Sequence, residues 1–292
     1  MTTLAYPPSM EIQSVEEAAN AAVSKPRPSS VSKPRHANSI WNALQNTGTF
    51  AYRSLLKALR NPESFMDIAL MPIMFTLMFT FIFGGAIAGS TAEYLPIIIP
   101  GILVQTIVTA TGTAGTQLRE DADKAVAARF AAMPIARISP LAGVLSADLV
   151  RYAIASIVVF LMGALLGFRP AGGLPAVVGA IAFVMLMGWC LSWLFAFSAL
   201  RAKSVSMAQS MAMIIMFPLT FLSNAFVPTE TMPAPLQFFA ERINPISRAI
   251  AAVRELLAGN GIGAQFWLAL AGALTILVVF IPLTLRVYTK RR

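Results

Sequence analysis

The chain has 292 residues, of which 57% are hydrophobic and only 12% are charged, and its mean hydropathy is +0.70. These values exclude an ordinary soluble globular domain, in which about a quarter of the residues are charged. The net charge of +9 does not indicate nucleic-acid binding, because the basic residues flank long apolar runs, as topology signals do. A single cysteine, Cys190, and a single histidine, His36, exclude an intrachain disulfide and a clustered His/Cys metal site.

The first 60 residues differ from the rest of the chain. Residues 1–40 combine basic residues with prolines and contain no apolar run, which predicts a disordered cytoplasmic tail and not a signal peptide. Residues 41–60 bring Trp41, Phe50 and several leucines together with basic side chains, which predicts an amphipathic helix lying in the membrane interface. The remaining residues, 61–292, are predicted to form one all-α polytopic membrane domain.

Six apolar runs approach the length of about 20 residues that a bilayer-spanning helix needs. A polar stretch, residues 117–140, separates the second run from the third. Between the fifth and sixth runs, residues 228–260 hold two short amphipathic segments divided at Asn244-Pro245, which predict an interfacial or re-entrant helical hairpin. The predicted spans are residues 65–87, 94–116, 141–167, 174–200, 206–227 and 265–285.

Two local features stand out within these spans. Pro96, Pro100 and Gly101 predict a partly irregular start to the second span. Asp148 and Arg151 lie three residues apart on one helical face of the third span, where the two side chains can pair.

The basic residues predict how the six spans are oriented. An even number of spans puts both termini on one side of the membrane. Placing the termini and residues 117–140 in the cytoplasm puts 18 of the 22 basic residues on that side, a strong positive-inside bias. The four on the outer side are Arg169, Arg242, Arg248 and Arg254.

The chain contains no motif that would supply energy or catalysis. It has no P-loop and no H-E-x-x-H, and no G-x-S-x-G supports a serine hydrolase, although a serine-based enzyme is not excluded. The spans also carry no ionisable residue near their midpoints, where ion-driven transporters place a relay. The driving force for any uphill transport would therefore enter from outside the chain.

Four segments resemble the permeases of the ABC type-2 exporter family, and within it the daunorubicin/doxorubicin-resistance permease group. In chain order they are RNPESFMDIALMPIMFTLMFTFIFGGAI, YLPIIIPGILVQTI, LREDADKAVAARFAAMPIARISPLAGVLSADLVR and FLSNAFVPTETMPAPLQFFAERINPISRAIAAVREL. Together they cover most of residues 60–258, whereas residues before about 40 carry no such likeness.

The resemblance implies a half-transporter. Two permease chains pair in the plasma (inner) membrane, and each docks on a separate ATPase subunit that binds ATP and Mg, so this chain itself binds no cofactor and is not an enzyme. Residues 41–60 resemble the connecting helix of the family, and residues 120–133 its cytoplasmic coupling helix. The coupling residues would be Glu120, Asp121, Asp123, Lys124, Val126, Arg129 and Phe130.

Periodicity alone leaves two interpretations of this coupling segment open. Ala122, Val126, Phe130 and Met133 form an apolar stripe at helical spacing. Such a stripe could contact an apolar groove on a partner protein, and it could equally well rest on the lipid headgroups.

Candidate substrate contacts are polar, methionine and tryptophan side chains at span depth. Each has a competing explanation, since polar groups often join helices, methionines adapt to any irregular surface, and neighbouring tryptophans often pack together. The candidates are Gln105, Thr109, Trp189, Trp193, Met207, Met211 and Asn224. In the predicted outer hairpin, the residues expected to ring an exit are Glu241, Arg242, Arg248 and Arg254.

The sequence thus predicts a permease subunit that exports an amphipathic drug or natural product. One alternative is export of a lipid or lipid-linked glycan by the same mechanism. A second alternative is a membrane scaffold or enzyme without ATP coupling.

Overall fold

The computed structural model describes residues 62–123, 139–227, 229 and 232–290, and every regular element among them is a helix. The all-α prediction is therefore confirmed for this part of the chain. The predicted tail and interfacial helix, residues 1–60, lie outside it. The helices are α1 (Pro62–Ala88), α2 (Thr91–Asp123), α3 (Ser139–Leu165), α4 (Gly173–Arg201), α5 (Val205–Phe221), α6 (Ala234–Phe238), α7 (Pro245–Leu257) and α8 (Ala264–Lys290).

Five of these helices, α1, α2, α3, α4 and α8, are long and apolar enough to cross a membrane. The fifth predicted span, residues 206–227, is present as the shorter apolar helix α5. Its 17 residues rise about 25 Å, which is less than the roughly 30 Å of a bilayer core. The prediction of one helix to residue 227 is wrong, because α5 ends at Phe221 and a non-helical segment, Leu222–Val227, follows it.

Helix α2 is the centre of the fold. It packs against α1, α3, α4, α5 and α7. Of the residues in its apolar part, 83% are buried, against 17% to 44% in the other four long helices. Its sequence explains this position, because it is apolar on all sides from Leu95 to Val104, and a helix of that kind requires neighbours all round.

The expected irregular start of this helix is absent, since α2 runs unbroken through Pro96 and Pro100. A proline ring fits the backbone φ angle of a helix, although the missing N–H removes one hydrogen bond. Close packing of neighbouring helices around the first turns of α2 accommodates that loss.

The hairpin region divides where the sequence predicted. A short helix, α6, continues into a π-helical turn, Phe239–Ile243, and α7 begins at Pro245. The Asn244 side chain caps α7 by accepting a hydrogen bond of 2.9 Å from the Ile246 backbone N–H. Helix α7 buries its apolar face against α4 and α8.

Candidate functional site

The predicted coupling segment begins inside the central helix. Glu120 and Asp121 lie half-buried in the last turn of α2, and Asp123 is its final residue. The other predicted coupling residues, Lys124, Val126, Arg129 and Phe130, lie outside the described residues. Because α2 is continuous from Thr91 to Asp123, its last turn belongs to the same helix that packs at the centre of the bundle. The end of the bundle that contains Asp123, the last residue of α2, is called the charged end.

Buried polar contacts fasten the charged end. The Arg151 guanidinium donates hydrogen bonds to Asp148 Oδ1 (3.4 Å) and to Gln117 Oε1 (3.1 Å), which joins α3 to α2. Arg119 donates to the backbone carbonyl of Lys203 (3.1 Å), which joins α2 to the α4–α5 turn. The predicted pairing of Asp148 with Arg151 is thus confirmed, and both side chains are at least nine-tenths buried.

Sequence reasoning missed the contribution of Gln117 and Arg119 to this fastening. Both residues precede the predicted coupling helix and resemble an ordinary polar flank of a span. The sequence signal was a glutamine and an arginine one turn or less before the acidic group at residues 120–123. Only the packing of α2 against its neighbours identifies their partners.

The opposite end of the bundle, which we call the hairpin end, contains the non-helical segment Leu222–Val227. Three side chains from other elements bind its carbonyl groups or those of the last turn of α5. Tyr94 Oη donates to the Phe226 carbonyl (2.8 Å), and Asn244 Nδ2 donates to the carbonyls of Leu219 (2.8 Å) and Leu222 (2.9 Å). Non-helical backbone is tolerated at membrane depth only when it is buried in protein and hydrogen-bonded in this way.

Arg254 is the third of these side chains, and its position differs from the prediction. Its guanidinium donates to the Asn224 carbonyl (2.6 Å) and to the Ile97 carbonyl of α2 (2.9 Å). Arg254 therefore points from α7 into the protein and ties α2 to the segment after α5, instead of joining a ring around an exit.

The segment after α5 also approaches α2 very closely. A Cβ atom at Gly101 would overlap the backbone carbonyl of Ala225. The sequence predicts an irregular helix start at Gly101; in the structure the missing side chain of this glycine permits the close contact.

The other three predicted outer residues, Glu241, Arg242 and Arg248, do line one cavity of about 360 Å³ at the hairpin end. Asn224, one of the predicted substrate contacts, lines it as well. The cavity lies between the π-helical turn, α7 and the first turns of α8. Its further lining residues are Thr229, Ser247, Ala251, Gln265 and Leu268.

The remaining substrate candidates do not meet in one place. Gln105 and Thr109 lie in the middle of α2, where the Thr109 hydroxyl donates to the Gln105 backbone carbonyl (3.0 Å). Trp189 and Trp193 pack edge to face, with ring centroids 6.2 Å apart, in an apolar cluster near the charged end. This is the packing that the sequence offered as the competing explanation for the two tryptophans.

The two methionine candidates belong to the start of α5. Met207 is exposed, and its sulfur accepts a hydrogen bond from the Lys203 backbone N–H (3.4 Å). Met211 is half-buried against the small cluster of Ala199, Ala202 and Ala208. Met207 and Met211 thus lie apart from the apolar cluster that holds the tryptophans.

The architecture described above is that of a polytopic membrane protein, and comparison with known proteins identifies its family. The sequence profile of the ABC-2 type transporter family matches residues 45–258. The chain belongs to this family.

Two relatives carry names that refer to drug resistance. The chain is 40% identical over 252 residues to the daunorubicin resistance ABC transporter permease protein DrrB1 of Streptomyces coeruleorubidus, a match that covers 85% of this chain and 88% of the relative. It is 24% identical over 209 residues to a probable doxorubicin resistance ABC transporter permease protein, DrrC, of Mycobacterium tuberculosis, covering 71% of this chain and 75% of the relative. The resemblance to the resistance permeases is thereby confirmed.

Proposed function

We propose that this protein is the membrane half of an ATP-driven exporter for an amphipathic drug or natural product. The observation that carries the proposal is the 40% identity, over 85% of the chain, to a permease named for daunorubicin resistance. The absence of a P-loop in the sequence supports a division of labour in which a separate subunit binds ATP and Mg.

In this proposal the chain crosses the plasma membrane six times with both termini in the cytoplasm. Helix α5 is too short to cross alone, so it forms the fifth of the six crossings together with the segment Leu222–Val227. The hydrogen bonds from Tyr94, Asn244 and Arg254 support this assignment, because they satisfy carbonyl groups that lipid would leave unpaired.

The exporter is a pair of permease chains with ATPase subunits docked on the charged end. Large apolar residues are exposed on α1 and α5, including Met74 and Phe81 on α1 and Ile214 and Phe217 on α5. These faces require cover from lipid or from a second permease chain.

Coupling in this scheme passes through α2. The ATPase contacts residues 120–133, and closure of the ATPase pair shifts the last turn of α2. Since Gln117 and Arg119 join that turn to α3 and to the α4–α5 turn, these elements move with it. The movement reaches the hairpin end through the contacts of Ile97 and Gly101.

The direct test is transport by inverted membrane vesicles that contain this chain and its co-purifying ATPase. We expect uptake of daunorubicin that requires ATP and Mg and is lost when the P-loop lysine of the ATPase is replaced. Vesicles without this chain are the control. Uptake of a lipid-linked sugar in place of daunorubicin would refute the drug substrate, and the absence of any co-purifying ATPase would refute the exporter.

A further inference from the structure

The polar cavity at the hairpin end has the composition of a binding site. Two arginines, Arg242 and Arg248, and one acidic residue, Glu241, line a volume of about 360 Å³. Cavities of this size accept small organic ligands. None of the three charged groups forms an ion pair with another residue in the described part of the chain.

The charged groups are held by contacts that leave hydrogen-bonding capacity for a ligand. Arg248 donates one hydrogen bond to the Arg242 backbone carbonyl (3.2 Å), and Glu241 Oε1 accepts one from Gln237 Nε2 (3.1 Å). A guanidinium has five N–H donors and a carboxylate has about four acceptor positions, so most remain for other partners.

Two buried polar atoms on the cavity wall also need a partner. Ser247 is 3% exposed, and its Oγ forms no hydrogen bond with any described residue. The Asn224 Oδ1 atom is likewise buried without a protein partner in the described part of the chain. Buried polar groups of this kind are normally satisfied. Both residues line the cavity, so a change of side-chain rotamer would present these atoms to water or to a polar ligand there.

The depth of the cavity identifies the kind of ligand. Gln265 and Leu268 lie in the first turns of the spanning helix α8, so the cavity lies where a span leaves the hydrocarbon core. Trp267, which is 61% exposed, occupies the level at which tryptophans mark the membrane interface. Phe238 and Ile243, on the same hairpin, are exposed as well and present an apolar surface beside the polar cavity.

We propose that this cavity binds the headgroup of a zwitterionic phospholipid with a phosphate and a primary amine, such as phosphatidylethanolamine. The phosphate lies between Arg242 and Arg248, which match its charge and its multiple oxygens. The ammonium group lies beside the Glu241 carboxylate, and the acyl chains lie along the exposed apolar residues. This binding is independent of the transported substrate and does not rest on the proposed export activity.

The test uses the purified full-length chain in detergent, with bound lipid measured by native mass spectrometry. The probes are phosphatidylethanolamine, phosphatidylglycerol, soluble phosphoethanolamine and inorganic phosphate. For the wild-type chain we expect tight binding of phosphatidylethanolamine only. In R242Q/R248Q we expect the affinity for this lipid to fall by at least about tenfold, because charge-assisted hydrogen bonds are lost. The matched control is Arg169→Gln, which removes an exposed arginine from a different connection at the same end of the bundle.

A second variant separates the two halves of the headgroup. Glu241→Gln leaves both arginines in place and is expected to abolish the preference for phosphatidylethanolamine over phosphatidylglycerol. It also tests the proposal if the double variant does not fold. Equal lipid binding by wild type and R242Q/R248Q, or an unchanged preference in E241Q, would overturn the proposal. Inorganic phosphate binding as tightly as the lipid would overturn it too.

Discussion

The buried ion pair at the charged end shows how single residues fix this fold. Asp148 and Arg151 lie one turn apart on α3, and Gln117 of α2 provides the second hydrogen-bond acceptor for the guanidinium. Two charges out of water are costly unless each is paired. Here the hydrogen bond from Arg151 to Gln117 also joins two helices, which is why this group of contacts sets the position of α3 against α2.

Replacing only Asp148 or only Arg151 is therefore expected to lower the free energy of unfolding more than replacing both residues. We predict that Arg151→Met destabilises the protein by about 3–5 kcal/mol, because it leaves the Asp148 carboxylate buried and unpaired. The double variant Asp148→Leu/Arg151→Met should recover most of that loss. Thermal unfolding of the purified proteins in detergent, followed by tryptophan fluorescence, measures both, and Arg169→Met is the exposed-arginine control. Additive losses in the double variant would contradict the argument.

At the scale of elements, the main difference from the sequence prediction concerns the end of α5. The apolar pattern continues through Leu222 and Phe226, so it favours helix up to Val227. The helix stops instead at Phe221, because Asn244, Tyr94 and Arg254 offer hydrogen bonds to carbonyl groups that no local donor satisfies. Those donors come from elements distant in sequence, which a local pattern does not reveal.

The packing of this segment on α2 makes a testable prediction about a glycine. Gly101→Ala is expected to destabilise the protein by about 1–3 kcal/mol, because its Cβ would overlap the Ala225 carbonyl and force the two backbones apart. Gly85→Ala in α1 is the matched control, since no atom lies within 4 Å of its added Cβ. That variant should be neutral or slightly stabilising through helix propensity. Equal thermal stability of the two variants in detergent would contradict the close contact.

At the scale of the whole molecule, α2 connects the two ends of the bundle. Its charged end carries Glu120 and Asp121, and its hairpin end is bound by Arg254 and Ala225. A buried helix with partners on every side cannot shift without moving its neighbours, since protein interiors are close-packed. A shift of the charged end would therefore reach the hairpin end, which supports the proposed ATPase contact at residues 120–133.

The coupling assignment is tested by a charge placed on the predicted apolar stripe. Phe130→Asp should reduce co-purification of the ATPase more than about tenfold while leaving membrane insertion intact, because an unpaired carboxylate would be buried in the interface. Ala128→Asp is the control, since residue 128 lies on the opposite face of the predicted helix. ATPase recovered with Phe130→Asp at the wild-type level would refute the docking role and favour contact of the stripe with lipid.

The sequence by itself determined the all-helical class, the long apolar helices, the Asp148–Arg151 pair and the division of the hairpin at Asn244-Pro245. Each follows from local information, namely apolar run length, i, i+3 spacing, or an Asn-Pro cap. The coupling roles of all the residues from Glu120 to Phe130 stay predictions.

Only the tertiary structure decided that α2 is the central helix, that Arg254 binds Ile97 and Asn224 inside the protein, and that Glu241, Arg242 and Arg248 share a cavity. These facts depend on which helices become neighbours. Apolar faces in a membrane protein contact lipid and protein alike, so hydrophobicity does not select the neighbours. Backbone carbonyls, close approach at glycine and buried polar partners select them, and these exist only once the chain is folded.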